Sequence, residues 1–167
     1  MVTTLLLVNF VAPAVTNEKL APYSIPFVTQ GALVPQRIDL GKGWVDINGT
    51  QVNMVLKHSS QLIITFSTEA MADPGNGLDV RIELYAGDFA FPDQINMVPT
   101  AIIGTYPYQG VQLGYGSYSY TFFWNSSLGP GAVSMKAEGE VTFVEGLGTG
   151  GSVYLTHRTL TVIALPT

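Results

Sequence analysis

The sequence predicts an all-β protein, an antiparallel sandwich or barrel, on the strength of three observations. Several segments alternate apolar and polar residues with the period of two that turns one face of a strand inward. Clusters of Gly, Pro, Asn and Asp separate these segments at similar spacing, and no convincing amphipathic helix interrupts them. Two long connections among the tight turns favour a single jelly roll of eight to ten strands over an up-and-down barrel.

The chain has 167 residues, enough for a single domain with a real core. We expect one β-sandwich domain over 1–167, in which 1–43 is a first strand plus a Pro-rich arm and 44–167 holds the main strands. Met1–Ala14 resembles the apolar region of a signal peptide, but it lacks a positive start and Asn9 interrupts it, so we interpret it as a strand. No run reaches the ~18 apolar residues that a membrane-spanning helix needs.

The segment Val15–Gly43 differs in texture from the rest of the chain. Pro22, Pro26 and Pro35 each fix their own φ and favour an extended predecessor. A connection of this length in a compact domain is usually functional, lies on a neighbour or covers its own sheet. We favour an arm that docks on another subunit. The apolar residues assigned to this interface are Ile25, Phe27, Leu33 and Val34.

Regular strands are expected from Trp44 onward. Asn48 and Gly49 lie between two short alternating runs, which predicts a hairpin. Gln61–Thr68 is rich in β-branched residues and predicts a buried strand, followed by a turn-rich loop at Glu69–Gly77. In the next strand apolar residues are expected to face inward, and in a later strand apolar residues share one face. These residues are Leu78, Val80, Ile82 and Leu84, then Val133, Met135 and Ala137.

The stretch Tyr115–Asn125 is the most aromatic part of the chain. Its large rings alternate with small hydroxyl residues, interrupted on that second face by Phe123 alone. Because rings of this size bury about 150–250 Å² each, we expect the core to form around this strand. The residues predicted for the core are Tyr118, Tyr120, Phe122 and Trp124.

The composition indicates a subunit of an assembly. Charged residues make up 11% of the chain, against roughly 25% in an average soluble protein. Coverage by other protein would explain so little charge, and a neutral surface of Ser, Thr, Asn, Gln and Gly is the alternative. The net charge is −5 and the seven basic residues are scattered, so we expect no nucleic-acid binding. The absence of cysteine excludes disulfides and thiolate chemistry.

No motif predicts catalysis or a cofactor. Gly146, Gly148 and Gly151 match G-x-G-x-x-G, but the residues that follow predict a strand and not the helix of a dinucleotide site. His58 and His157 lack further ligands or a nucleophile at a recognisable spacing, so each is interpreted as a polar surface residue.

The acidic turn of the chain contains a candidate calcium site. Asp73, Asn76 and Asp79 could supply oxygen ligands, but DPGNG is equally good turn chemistry and the turn is favoured. We therefore expect no metal, no cofactor and no enzymatic activity.

Carbohydrate binding is the main alternative function. It would need an exposed aromatic platform, and core or interface packing is favoured for the aromatic residues concerned. These residues are Tyr85, Phe89, Phe91, Tyr106, Tyr108 and Tyr115.

The chain resembles, over its whole length, the small single jelly-roll capsid proteins. The features that carry this resemblance are the absence of cysteine, the Pro-rich N-terminal segment, the regular strands and the low charge. The resemblance is to those of tailless icosahedral double-stranded DNA viruses of bacteria, particularly membrane-containing viruses of thermophiles. It implies a virion location and a shell subunit that pairs with itself or with a second capsid protein. The missing basic arm fits a shell separated from its genome by lipid, or a decoration or spike protein.

Overall fold

The structure is a computed structural model that describes residues 27–73, 75–85, 87–98, 114–124, 126–143 and 151–167. Eleven strands and no helix lie within these ranges. The strands are β1 Phe27–Ala32, β2 Gln36–Asp39, β3 Val45–Asp46, β4 Val52–Leu56, β5 Ser60–Ala72, β6 Asn76–Tyr85, β7 Asp88–Phe89, β8 Ile95–Val98, β9 Gly114–Phe123, β10 Gly131–Phe143 and β11 Ser152–Pro166.

The strands form two antiparallel sheets. Sheet A has the order β1-β11-β5-β9, with β2 also on β11, and sheet B has the order β3-β10-β6-β7, with β4 on β10 and β8 on β6. The inward faces of the two sheets share one apolar core. The predicted fold class, an all-β antiparallel sandwich, is confirmed.

The short strands β1 and β2 both pair with the same edge of the long strand β11. β1 pairs with residues 158–163 of β11 and β2 pairs with residues 152–155. Pro35, which has no N–H to give to a ladder, lies in the interruption between β1 and β2. This differs from the predicted division at Trp44, because residues 27–39 of the expected arm belong to sheet A. Deletion of 15–43 would therefore remove two paired strands.

The turn at Asn48 and Gly49 is present, but it does not close the predicted hairpin. Gly49 has a φ of +77°, and the strands on either side, β3 and β4, both pair with β10 and not with each other. Thr50 holds this excursion in place, since its hydroxyl donates to the Ile47 carbonyl at 2.6 Å and accepts from the Ala137 N–H at 3.3 Å. Residues 47–51 therefore form a short loop that interrupts one edge, on both sides of which the chain pairs with β10.

The core consists of the inward residues of both sheets. Every predicted inward residue from Leu78 to Leu84 is buried, and Val133, Met135 and Ala137, which were expected to share one face, are buried too. The loop expected at Glu69–Gly77 is shorter than predicted, because β5 extends to Ala72. Large apolar residues of sheet A that are almost completely buried include Leu62, Ile64, Phe66, Phe122, Leu155, Leu160 and Val162.

The aromatic strand β9 is buried unevenly. Phe122 is fully buried, while Tyr118 and Trp124 are partly buried and contact the core. Tyr120 differs from the prediction, since it is 40% exposed and meets Phe122 edge-on at 5.1 Å between ring centroids. The reason is position, because β9 is the last strand of sheet A among the described residues and, of these residues, only Phe91 pairs with its free edge, at Phe123.

Candidate interaction surface

The outward side chains of sheet A form a continuous face, which we call the outer A face: those of β1, β5, β9 and residues 156–163 of β11. Strand register divides it into rows that run across the sheet. The first row places Phe27 beside Ile163, Ile163 beside Ile63, and Ile63 beside Phe123. Phe91 extends the row, because its backbone exchanges hydrogen bonds of 2.7 and 2.8 Å with Phe123. We call these five residues the apolar band.

The aromatic rings of the apolar band are exposed to solvent. Phe27, Phe91 and Phe123 are 61%, 56% and 46% exposed, whereas Ile63 and Ile163 between them are half-buried. Apolar side chains on the surface are ordinary when single, but a contiguous row of them marks an interaction site.

The second row of the outer A face consists of four threonines. Thr29 and Thr161 share a hydrogen bond of 3.0 Å, and Thr65 and Thr121 share another of 3.0 Å. The row is neutral because threonine is uncharged. The hydroxyls bond to each other in pairs, so part of their hydrogen-bonding capacity is used without water.

The third row continues the same chemistry. Gly31, Thr159, Ser67 and Ser119 lie side by side, and the two serines share a hydrogen bond of 2.8 Å. The outer A face is therefore neutral over its first three rows.

The fourth row carries the charge of the outer A face. His157 Nδ1 lies 2.5 Å from Glu69 Oε2, and the Thr156 hydroxyl donates to the Glu69 carbonyl at 3.3 Å. For His157 to act as a general base, a nucleophile or a second carboxylate would have to lie within its reach. For a metal site, no group of three His, Cys, Asp or Glu residues exists among the described residues. His58 lies at the opposite end of β5, so the two histidines do not form a common site.

The fold separates Asp79 from Asp73 and Asn76, the other two residues of the candidate calcium site. Asp73 accepts a hydrogen bond of 2.9 Å from the Ser152 N–H at the end of β5, while Asp79 accepts one of 2.8 Å from Asn96 on the outer side of sheet B. Asn76 is buried and its amide donates to the Asp73 carbonyl at 3.2 Å, as in a turn. Of the glycine motif, only Gly151 is described, and the strand β11 follows it.

The outer face of sheet B carries an ion-pair network. Lys136 Nζ lies 2.6 Å from Asp46, 3.0 Å from Glu83 and 3.0 Å from Glu138. Hydrogen bonds to Asp46 and Glu138 raise the pKa of Lys136 above its ordinary value. Arg81 completes the network with a contact of 2.7 Å to Glu138.

Arg81 packs against two aromatic rings on the outer face of sheet B. The Arg81 guanidinium lies 4.2 Å from the ring centroid of Trp44 and 4.2 Å from that of Phe89. Such cation–π contacts fix the rings against a charged group. Phe89 therefore offers no free platform for a sugar. Of the other residues weighed for that role, Tyr106, Tyr108 and the side chains of Tyr85 and Tyr115 lie outside the described part of the structure.

The interface residues predicted from the sequence fall in two places. Phe27 belongs to the apolar band, and Leu33 and Val34 are exposed in the loop between β1 and β2. Ile25 lies outside the described residues. Sequence reasoning missed that Phe123 belongs to the same surface, although its position as the one ring among the hydroxyls of its strand was a usable signal.

Arg158 was also missed, and it fixes the loop that carries Val34. Its side chain is 2% exposed, and it donates to the carbonyls of Val34, Leu155 and Asn48 at 2.7, 2.8 and 3.2 Å. Burial lowers the pKa of Arg158. A single guanidinium thus holds the loop after β1, the turn before β4 and β11 together.

The comparisons with known proteins concern the fold alone. No protein-family model and no curated protein matches the chain. VP2 of infectious bursal disease virus, from a subviral particle, aligns with a TM-score of 0.52 and 15% identity over 84% of this chain and 32% of that chain. A structure of the Gx strain of that virus gives 0.50 and 12% over 84% and 31%. The chain thus spans about a third of the length of these viral capsid proteins and shares their β-rich fold.

A carbohydrate-binding module also aligns, but at a level that carries no argument. The C-terminal CBM6 of the laminarinase LamC from Zobellia galactanivorans gives a TM-score of 0.37 and 15% identity over 81% of this chain and 98% of that chain. Among the described residues, no helix is long and apolar enough to cross a membrane.

Proposed function

We propose that this protein is a structural virion protein, a subunit of an icosahedral capsid shell that associates with itself or with a second capsid protein. The observation that carries the proposal is the apolar band, a row of exposed rings on a chain with 11% charged residues. The fold shared with a viral particle protein supports it at the level of architecture.

The size of the apolar band suits a subunit that assembles through many weak contacts. Full burial of one Phe side chain contributes about 1.5–3 kcal/mol, so three rings that are already about half covered offer roughly 2–5 kcal/mol before ordering costs. Free energies of about 4 kcal/mol correspond to a Kd near 1 mM. A closed shell turns such contacts into a stable particle, because each subunit makes several of them at high effective concentration.

The charge of the chain bears on the type of virus. The scattered basic residues and the net charge of −5 fit a shell that does not contact the genome, as in a membrane-containing virus of bacteria. A decoration or spike protein on such a virion is the closest variant of this function.

Solution mass tests the proposal. We expect light scattering of the purified protein to show a weight-average mass that rises with concentration, and electron microscopy to show capsomers or shells, alone or after mixing with the virion's other capsid protein. A strictly 17.9 kDa species at high concentration, with no assembly in either setting, contradicts the proposed function.

Carbohydrate binding is a second candidate because the apolar band places exposed rings beside a row of threonine hydroxyls. Rings stack on sugar faces and hydroxyls bond to sugar oxygens, which is the combination a glycan surface needs. Binding on a glycan array that disappears in Phe123→Ala, together with a monomeric protein, would favour this candidate over the shell.

A further inference from the structure

We propose that two copies of this chain pair through their outer A faces, about a twofold axis that runs parallel to the strands between β11 and β5. The inference rests on the proposed function, since it names one of the contacts through which the subunit associates with itself. It goes beyond that function in fixing which residues of one copy face which residues of the other.

Charge selects the outer A face over the outer face of sheet B. On sheet B, the outward positions of β3, β6 and β10 carry five carboxylates against two cations, so a second copy stacked there would be repelled. Their charged residues are Asp46, Asp79, Glu83, Glu138 and Glu140, with Arg81 and Lys136.

By contrast, the first three rows of the outer A face carry no charged residue, and the fourth carries only His157 and Glu69. Neutral faces of two copies can approach although each chain has a net charge of −5. Of the two outer faces, only this one is electrostatically compatible with a copy of itself.

Symmetry makes the outer A face self-complementary. A twofold axis between β11 and β5 exchanges β11 with β5 and β1 with β9 while keeping each row at the same height. The apolar band then faces the apolar band, with Phe27 of one copy over Phe123 of the other. In the fourth row, His157 of each copy faces Glu69 of the other, so an imidazole lies opposite each carboxylate.

The dimensions predict a weak pair. Strands ~4.8 Å apart and residues ~3.3 Å apart give the face a footprint of roughly 20 Å by 20 Å, or roughly 400 Å² per copy. Specific interfaces usually bury about 800 Å² per partner. The pair is therefore expected to form reversibly at high concentration and to be strengthened by the other contacts of a shell.

The orientation is tested by cross-linking, because the chain has no cysteine of its own. Thr29→Cys and Thr121→Cys copies that carry tags of different size are mixed and treated with a short bismaleimide. The proposed axis brings these positions together between copies, whereas each variant alone places its two thiols about three strands, or ~14 Å, apart across the face. We expect heterodimers in the mixture at least about tenfold above the dimers of either variant alone.

A control mixture of Thr29→Cys with Asn53→Cys, an exposed position on the outer side of sheet B, should give only background. Equal cross-linking in both mixtures, or none in the first, overturns the proposal.

A charge substitution tests the apolar band with a matched control on the other sheet. Phe27→Glu should weaken self-association in sedimentation velocity at least about tenfold, since it places a carboxylate among apolar rings. Val55→Glu changes a residue that is 70% exposed on β4 and should leave association unchanged. Circular dichroism checks that both variants are folded.

The outcomes separate this proposal from the proposed function. A protein that assembles normally with Phe27→Glu, or without the Thr29–Thr121 cross-link, refutes the pairing and leaves the shell role standing. Cross-linked pairs without capsomers or shells support the pairing and count against the shell. If Phe27→Glu abolishes binding to a second capsid protein or to phosphatidylcholine vesicles while self-association is unchanged, the apolar band belongs to that partner and the pairing is wrong.

Discussion

Replacement of Arg158 by methionine should destabilise the protein although it removes a buried charge. The Arg158 side chain is 2% exposed, and the described residues supply it with three carbonyls and no carboxylate. Methionine keeps the apolar stem and much of the length, so it leaves only a small cavity. What Arg158→Met removes is the set of donors that joins Val34, Asn48 and Leu155.

The loss of unfolding free energy in Arg158→Met is the difference between two opposing contributions. A hydrogen bond to a charged group contributes about 1.5–3 kcal/mol, so three of them contribute roughly 4.5–9 kcal/mol. The cost of taking the guanidinium out of water is several kcal/mol and offsets part of this sum. We expect Arg158→Met to lower the free energy of unfolding by about 2–4 kcal/mol. For a chain of this size the melting temperature then falls by roughly 5–15 °C.

Urea denaturation followed by tryptophan fluorescence measures the effect of Arg158→Met. Arg37→Met is the matched control, because Arg37 is exposed and its contact with Asp39 is a surface ion pair, which contributes little. An Arg158→Met protein as stable as the wild type would refute the reasoning. It would mean that desolvation of the guanidinium cancels everything its hydrogen bonds contribute.

Three further predictions concern pH, a turn and the aromatic strand. The Gly87 N–H lowers the pKa of Glu83, so Glu83 stabilises the fold above its ordinary pKa of 4.5 and this contribution is lost as pH falls through the lower folded value. Glu83→Gln should flatten the acid side of the stability–pH curve measured by urea titration, and an unchanged slope contradicts this. Gly49→Ala should cost about 1–3 kcal/mol by thermal unfolding, because φ is +77° and the new Cβ would lie 2.4 Å from the Ala32 Cβ. Trp124→Ala should lower the free energy of unfolding by about 2–4 kcal/mol, because the indole packs on the core. Trp124→Phe should lower it by less than about 1 kcal/mol, because the buried indole N–H has no partner among the described residues. Equal losses of unfolding free energy for the two variants in urea denaturation would show that the N–H is paired.

The local pattern of the sequence was sufficient for the fold class and for most of the core. Alternation with a period of two is a property of neighbouring residues, so Leu78 to Leu84 could be assigned to an inward face, and Val133 to Ala137 to one common face, without knowing their partners. Tyr120 shows the limit of that inference. Its facing follows from the alternation, but its exposure depends on whether another strand lies beside β9.

The bulge in β11 illustrates a signal that was present and missed. The register shifts between Leu155 and Arg158, so inward residues are odd-numbered before it and even-numbered after it. The change from Val153 and Leu155 to Leu160 and Val162 records this shift in the sequence itself. Without the bulge, Arg158 would point outward and His157 inward.

The apolar band was decided by tertiary structure alone. Its members are Phe27, Ile63, Phe91, Phe123 and Ile163, which lie far apart in the chain and come from five separate segments. The sequence determined only that each has an apolar side chain. Only the pairing register of β1, β11, β5 and β9 determined that they share one row, because a shift of one residue in any of these strands would turn its side chain to the opposite face.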